Sequence, residues 1–130
     1  MGSQSAGASQ PIANTLSGVR SFSIETGSLG QASLVSLNGD LDLSTAKRAE
    51  QAIEEAEQAS PPMLVIDLRG LSFMDSTGLR VVVSADKRAT QANRRLVIIQ
   101  GPAAVRRVFE ITRLDERLEI VDTPEEIESD

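Results

Sequence analysis

The segment 75–79, with the residues Asp-Ser-Thr-Gly-Leu, has the residue types and spacing that point most directly to chemistry. It follows the apolar run 63–68 and opens a stretch with helical periodicity, which places the Ser76 hydroxyl on the first turn of a helix at a sheet edge. Free backbone N–H groups and the positive end of the helix dipole would face a phosphate attached there. The pattern therefore indicates a switch, although a plain helix start gives the same residue types.

The neighbours of Ser76 have two interpretations each. Asp75 is predicted to cap the helix by accepting a hydrogen bond from its first turn, and it can also orient the hydroxyl or contact a partner. Thr77 carries a second hydroxyl and is an alternative phosphate acceptor.

Asp40 and Asp42 flank Leu41 just before a predicted helix. An Asp-x-Asp pair can hold a hard cation, but further oxygen ligands are not evident nearby, so no metal site is predicted. Capping of the following helix is the favoured structural use of the pair.

Leu79 and Val83 lie four residues apart, about 100° around the helix from its main apolar stripe. Such a flank usually packs on a neighbouring element. If it is exposed instead, it forms an apolar patch beside Ser76 that could anchor a partner.

Composition excludes several classes of function. The 130 residues are 40% hydrophobic, enough for one core, and no apolar run approaches the length of a membrane span. A net charge of −6 and 2% aromatic residues argue against nucleic acid as a partner. The chain has no cysteine and no histidine, which removes disulfides and the usual transition-metal ligands. A cytoplasmic protein without a cofactor is expected.

An enzyme is not expected. Without histidine there is no Ser-His arrangement to activate a nucleophile, and phosphate-binding glycine motifs and zinc signatures are absent from the sequence. The arginine pairs at 94–95 and 106–107 are interpreted as surface charge, with a nucleotide pocket left open as the alternative.

Periodicity predicts the element order β-β-α-β-α-β-α-β-α around one mixed sheet, an α/β fold. Residues 1–19 are predicted to be a flexible tail rich in Ser, Gly and Ala, and residues 20–128 one domain. A turn is expected at 26–28, a break of the strand at 38–39, a helix cap at Ser44, and a final helix with a capping box at 123–126. The predicted strands are 22–24, 33–37, 63–68, 96–99 and 118–121, and the third helix is 102–114.

Three of these segments resemble the STAS domain, and most closely the bacterial anti-sigma factor antagonists: Val65-Ile66-Asp67-Leu68, Met74-Asp75-Ser76-Thr77-Gly78-Leu79 and Gly39-Asp40-Leu41-Asp42. Residues 102–109 and the following Leu114-Asp115 are similar to that family's third helix and its end. The resemblance implies a STAS-like mixed β-sheet with helices packed mainly on one side. Arg80 departs from the pattern, since small residues are frequent there in the family.

The resemblance also implies a function. Such a bacterial protein binds an anti-sigma factor serine kinase when unphosphorylated, which frees a sigma factor for transcription. Phosphorylation of the serine, Ser76 here, releases the kinase, and a PP2C-type phosphatase reverses the modification. Some partner-binding residues are implied by the resemblance, and others are predicted from their position near Ser76. Together they are Asp40, Asp42, Asp75, Ser76, Thr77, Gly78, Leu79, Arg80 and Val83. The alternatives are a STAS scaffold component of a stress-signalling assembly and a nucleotide-binding regulatory subunit of a transport system.

Overall fold

The computed structural model describes residues 22–127, which form one five-stranded sheet in the order β1-β2-β3-β4-β5. The predicted tail, residues 1–19, lies outside the described residues. The strands are β1 (Ser23–Leu29), β2 (Ala32–Leu41), β3 (Met63–Met74), β4 (Arg95–Ile99) and β5 (Glu119–Val121). The helices are α1 (Ala46–Gln58), α2 (Ser76–Gln91) and α3 (Ala103–Ile111), with short 3₁₀ turns at Leu114–Glu116 and Pro124–Glu126.

The sheet is mixed. β1 pairs antiparallel with β2, and the other three pairings are parallel, so the carboxyl ends of β2, β3, β4 and β5 point to the same edge. Each of the three parallel connections must return across the sheet, and α1, α2 and α3 make these returns. The predicted mixed α/β fold is confirmed.

The helices pack on one face of the sheet. The larger core cluster joins helix residues such as Ile53, Val82 and Phe109 to strand residues such as Leu37 and Ile66. The other face carries a smaller apolar cluster built from strand residues, and Ile127 packs against it. Among the described residues, α1, α2 and α3 thus all pack on the face opposite to this smaller cluster.

α2 carries the small-residue stripe that the sequence indicates. Gly78, Val82, Ala85 and Ala89 are all buried, which lets the helix lie close to the sheet. At its far end the Arg88 guanidinium donates to Glu57 Oε1 at 2.8 Å and to Glu50 Oε2 at 2.7 Å, both on α1. The two helices are therefore tied together by an ion cluster at the end remote from Ser76.

Several predicted strand bounds are wrong. β1 continues through residues 26–28, and the chain turns at Gly30 and Gln31 instead. Residues 38–39 do not end β2 but lie at two shifts of its register against β3. Gly39 has φ 101°, which a side chain would disfavour, so the Asn-Gly pair makes a bulge where the sequence predicts the end of the strand.

Three predictions on helix ends are also wrong. The N-cap of α1 is Thr45 rather than Ser44. The third helix ends at Ile111 instead of continuing to 114. The final helix is a 3₁₀ turn in which Thr123 makes no side-chain cap, while Glu126 accepts a hydrogen bond from the Asp122 N–H. The capping box is therefore absent, although proline does occupy the start of the turn.

None of the helices within residues 22–127 combines the length and the apolar character needed to cross a membrane.

Asp67, in the centre of β3, is buried, with 8% of its surface exposed. Arg69 donates to it from its backbone N–H at 3.0 Å and from its guanidinium at 2.8 Å. Burial raises the pKa of Asp67, but these hydrogen bonds outweigh it, so the pKa lies below the ordinary value of 3.8. The carboxylate therefore stabilises the fold above its ordinary pKa and loses that contribution as the pH falls through its folded value.

Arg69→Gln should lower the free energy of unfolding at pH 7 by about 1 kcal/mol, a value reduced because the arginine is half exposed. Since Asp67 is protonated at low pH in both proteins, the difference should shrink as the pH falls below 3.8. Urea denaturation of the wild type and the variant at pH 7 and pH 3 measures the difference in unfolding free energy and its dependence on pH. Arg107→Gln, on the exposed side of α3, is the control for lost charge. A difference that stays constant with pH would contradict this role for the pair.

Candidate functional site

The candidate site lies where β2 and β3 end side by side. Leu41 is paired with Met74 at the last position of both strands, and the chain continues from these residues towards α1 and α2. β3 pairs with β4 only over Met63–Asp67, so both strands extend well beyond the rest of the parallel sheet. The segments 40–45 and 73–80 therefore meet at one end of the domain.

A close contact joins the start of α2 to the end of β2. The Asp75 N–H donates to the Leu41 carbonyl at 3.2 Å. A Cβ on Gly78 would lie 2.5 Å from the same carbonyl oxygen, nearer than real Cβ atoms approach, so only glycine allows the helix to lie here. The first turn of α2 is thus fixed against backbone rather than against mobile side chains.

Asp75 caps α2, as the sequence predicts. Its backbone is extended, its carboxylate accepts from the Gly78 N–H at 2.9 Å, and its carbonyl accepts from the Leu79 N–H. Ser76 is the first helical residue and is exposed, whereas Thr77 is partly buried. Of the two hydroxyl-bearing residues, Ser76 is therefore the more accessible, and its phosphorylation stays a prediction.

The loop between β2 and α1 is held by its own hydrogen bonds. The Thr45 hydroxyl donates to the Asp40 carbonyl at 2.8 Å and accepts from the Asp42 N–H at 2.9 Å. The Asp42 carboxylate accepts from the hydroxyl and the N–H of Ser44. The Ser44 hydroxyl, with support from its N–H and from Thr45, lowers the pKa of Asp42. Asp42 thus organises the turn before α1, but its carboxylate does not cap the helix, because the N-cap is Thr45 and no side chain within residues 22–127 caps the first turn.

No group of three or more acidic side chains within residues 22–127 could hold a metal ion.

Two large apolar side chains at this end were not identified from the sequence. Leu43, at the tip of the hydrogen-bonded loop, is 79% exposed, and Phe73, paired with Asp40, is 44% exposed. The position of Leu43 between Asp42 and Ser44, which are turn-forming residues, could have revealed it. The exposure of Phe73 depends on the strand pairing and has no comparable local signal.

Leu79 and Val83 pack rather than form an exposed patch. Leu79 is 9% exposed and belongs to the larger core cluster, and Val83 is partly buried against that cluster. Of the two interpretations of this pair, the structure supports the packing one. Gly78 is buried as well. That Gly78, Leu79 and Val83 contact a partner directly stays a prediction.

A cleft separates α1 from α2 next to the serine. Its lining includes Thr77 and Arg80 on α2 and Lys47 and Glu50 on α1. Glu50 is bonded to Arg88. Within residues 22–127, neither Lys47 nor Arg80 makes a hydrogen bond or an ion pair. The cleft therefore carries two cations without bound counter-charges, in a chain whose net charge is −6.

Comparison with known proteins agrees with this architecture. The family model of the STAS domain matches residues 23–127. The Anti-sigma-B factor antagonist of Listeria monocytogenes is 39% identical over 82 residues, which are 63% of this chain and 72% of the relative.

Two solved structures share the fold. An anti-sigma factor antagonist from Mycobacterium paratuberculosis is 30% identical with a TM-score of 0.75, over 81% of this chain and 89% of that one. The Bacillus cell fate determinant SpoIIAA in its phosphorylated form is 23% identical with a TM-score of 0.61, over 82% of this chain and 95% of that one.

Gly78→Ala should lower the free energy of unfolding by roughly 2 kcal/mol, because the new Cβ would push α2 away from the Leu41 carbonyl. Alanine is otherwise favoured over glycine inside a helix, so propensity alone predicts the opposite sign. Amide hydrogen exchange at Asp75 should also become faster, since its bond to Leu41 is weakened.

Gly27→Ala is the matched control for this substitution, because a Cβ on Gly27 meets nothing within 4 Å. Equal free energies of unfolding for the two variants would show that the contact between Gly78 and Leu41 does not constrain the domain.

Proposed function

The chain belongs to the STAS domain family, and we propose that it is an anti-sigma factor antagonist that binds an anti-sigma factor serine kinase through the surface around Ser76. The observation that carries the proposal is the position of Ser76. Its hydroxyl is exposed on the first turn of a capped helix, at the same end of the domain as two exposed apolar side chains.

The proposed docking surface consists of exposed or partly exposed residues at this end of the domain. Leu43 and Phe73 supply apolar area, and the hydrogen-bonded loop presents Leu43 in a defined position. Preorganisation of this kind reduces the entropy that is lost on binding. The other residues of the surface are Asp40, Asp42, Asp75, Ser76, Thr77 and Arg80.

Phosphorylation of Ser76 would reverse binding through local chemistry. The kinase would transfer the γ-phosphoryl group of ATP to the Ser76 oxygen, with release of ADP and the hydroxyl proton. The product carries about −1.5 to −2 charges at neutral pH. A partner surface matched to a neutral hydroxyl would then meet like charge, added bulk and a desolvation penalty, which together can cost several kcal/mol.

The helix start supports this role, since the dipole and the first-turn N–H groups tolerate a phosphate within the protein itself. SpoIIAA of Bacillus exists in a phosphorylated form, but its likeness to this chain is one of fold. The proposal for Ser76 therefore depends on the position of the residue and on family membership.

The remaining roles follow from the same proposal. The protein is a cytoplasmic regulatory binding protein rather than an enzyme, and its binding of the kinase frees a sigma factor for transcription. A PP2C-type phosphatase removes the phosphate and restores binding.

Ser76→Ala should bind the kinase about as tightly as the wild type, whereas Ser76→Asp should bind at least about tenfold more weakly, since about 1.4 kcal/mol corresponds to a tenfold change in affinity. The kinase is first identified by pull-down and mass spectrometry, and its affinity for each variant is then measured by calorimetry. Ser28→Asp, an exposed serine at the opposite end of β2 and β1, is the control for added charge. Equal affinities of the alanine and aspartate variants would exclude a charge switch at Ser76.

Leu43→Ala should weaken kinase binding by about tenfold or more without lowering the melting temperature, because a buried apolar anchor typically contributes over 1 kcal/mol to an interface. Ile111→Ala is the matched control. Ile111 is 72% exposed, similar to Leu43 at 79%, but it lies at the end of α3. Equal losses of affinity in the two variants, or no loss in either, would contradict the proposed docking surface.

A further inference from the structure

We propose that Arg80 binds the phosphate on Ser76 and draws it along α2 towards the cleft between α1 and α2. This inference rests on the proposed function in one respect, namely that Ser76 is the residue that becomes phosphorylated. Arg80 is exposed and lies on α2 four residues after Ser76.

Helix geometry brings the two side chains together. Residues four apart lie on the same face, and every Cα–Cβ bond in a helix tilts towards the N-terminus. The long side chain of Arg80 can therefore reach back over the turn that contains Ser76. An acidic group placed four residues before a basic one is also the favourable order for a helical ion pair.

Arg80 is free to make this contact. Within the described part of the chain its guanidinium has no hydrogen bond or ion pair. Glu50, the carboxylate that lines the same cleft, is bonded to Arg88 at 2.7 Å. A guanidinium has several donors in a planar fork, which matches the oxygens of a phosphate better than a lysine ammonium does.

The other charged groups at this end are engaged or lie on a different element. The Asp75 carboxylate accepts from the Gly78 N–H, and the Asp42 carboxylate accepts from Ser44. Asp40 lies at the end of β2, and Lys47 reaches the cleft from α1. The negative charges of Asp42 and Asp75 disfavour a phosphate on Ser76. The Arg80 guanidinium supplies the compensating positive charge, and it lies on the same helix as the phosphate.

The pair has a measurable signature in the phosphate itself. The second ionisation of phosphoserine occurs at about pH 6, and a nearby cation favours the doubly charged form. The pKa of the phosphate should therefore lie lower in the wild type than in a protein without Arg80. For an exposed helical pair with a doubly charged partner, the expected difference is about half a pH unit.

The test uses full-length protein with phosphoserine inserted at position 76 during synthesis, and follows the ³¹P NMR shift against pH. Arg80→Gln should raise the phosphate pKa by about half a pH unit, and the difference should decrease in 1 M salt. Arg107→Gln, which removes the same charge from an exposed position on α3, should leave the phosphate pKa unchanged. Melting curves of the unphosphorylated variants verify that each is folded.

Two results would overturn the inference. One is an identical titration curve for the wild type and Arg80→Gln. The other is a shift produced by Lys47→Gln and not by Arg80→Gln, which would place the phosphate against α1. Because the phosphoserine is installed without a kinase, the titration decides the role of Arg80 even if no kinase binds the protein, and a failure of kinase binding would count against the proposed function alone.

Discussion

The contact between Gly78 and the Leu41 carbonyl is the constraint on which the site depends. It brings the first turn of α2 onto the end of β2, and the hydrogen bond from Asp75 to the same carbonyl fixes that approach. The serine and the loop before α1 come from distant parts of the chain, yet this one backbone contact makes them neighbours. A larger residue at position 78 would separate them and so would alter the surface before it altered the fold.

Local patterns predicted the parts of the structure that local interactions determine. The buried stripe of α2 follows from its period, and the cap follows from Asp75, whose carboxylate bonds only three residues away. The fold class follows from the order of the elements, and the family resemblance added the one-sided packing of the helices.

Errors arose where pairing with a distant segment decides the outcome. Asn38 and Gly39 have the composition of a turn, but β3 pairs with β2 on both sides of them and converts them into a bulge. Leu79 was predicted to pack on a neighbouring element and does so, but its burial is decided by the elements around α2 rather than by a local pattern. Leu43 was not identified because an apolar residue before a helix is usually taken as part of the core. Here it is exposed on a loop that is held by its own hydrogen bonds.

The ion cluster at Arg88 has a consequence for how the domain transmits a signal. α1 and α2 are joined at one end by Arg88 with Glu50 and Glu57, and α2 is seated on the sheet at the other end by Gly78. α2 is therefore held at both ends, and α1 is held to it through Arg88. If Ser76 is phosphorylated as proposed, these contacts would hold α2 in place while the chemistry of the surface changes. A partner would then detect the signal as a change in the groups it touches, and no movement of the core would be required.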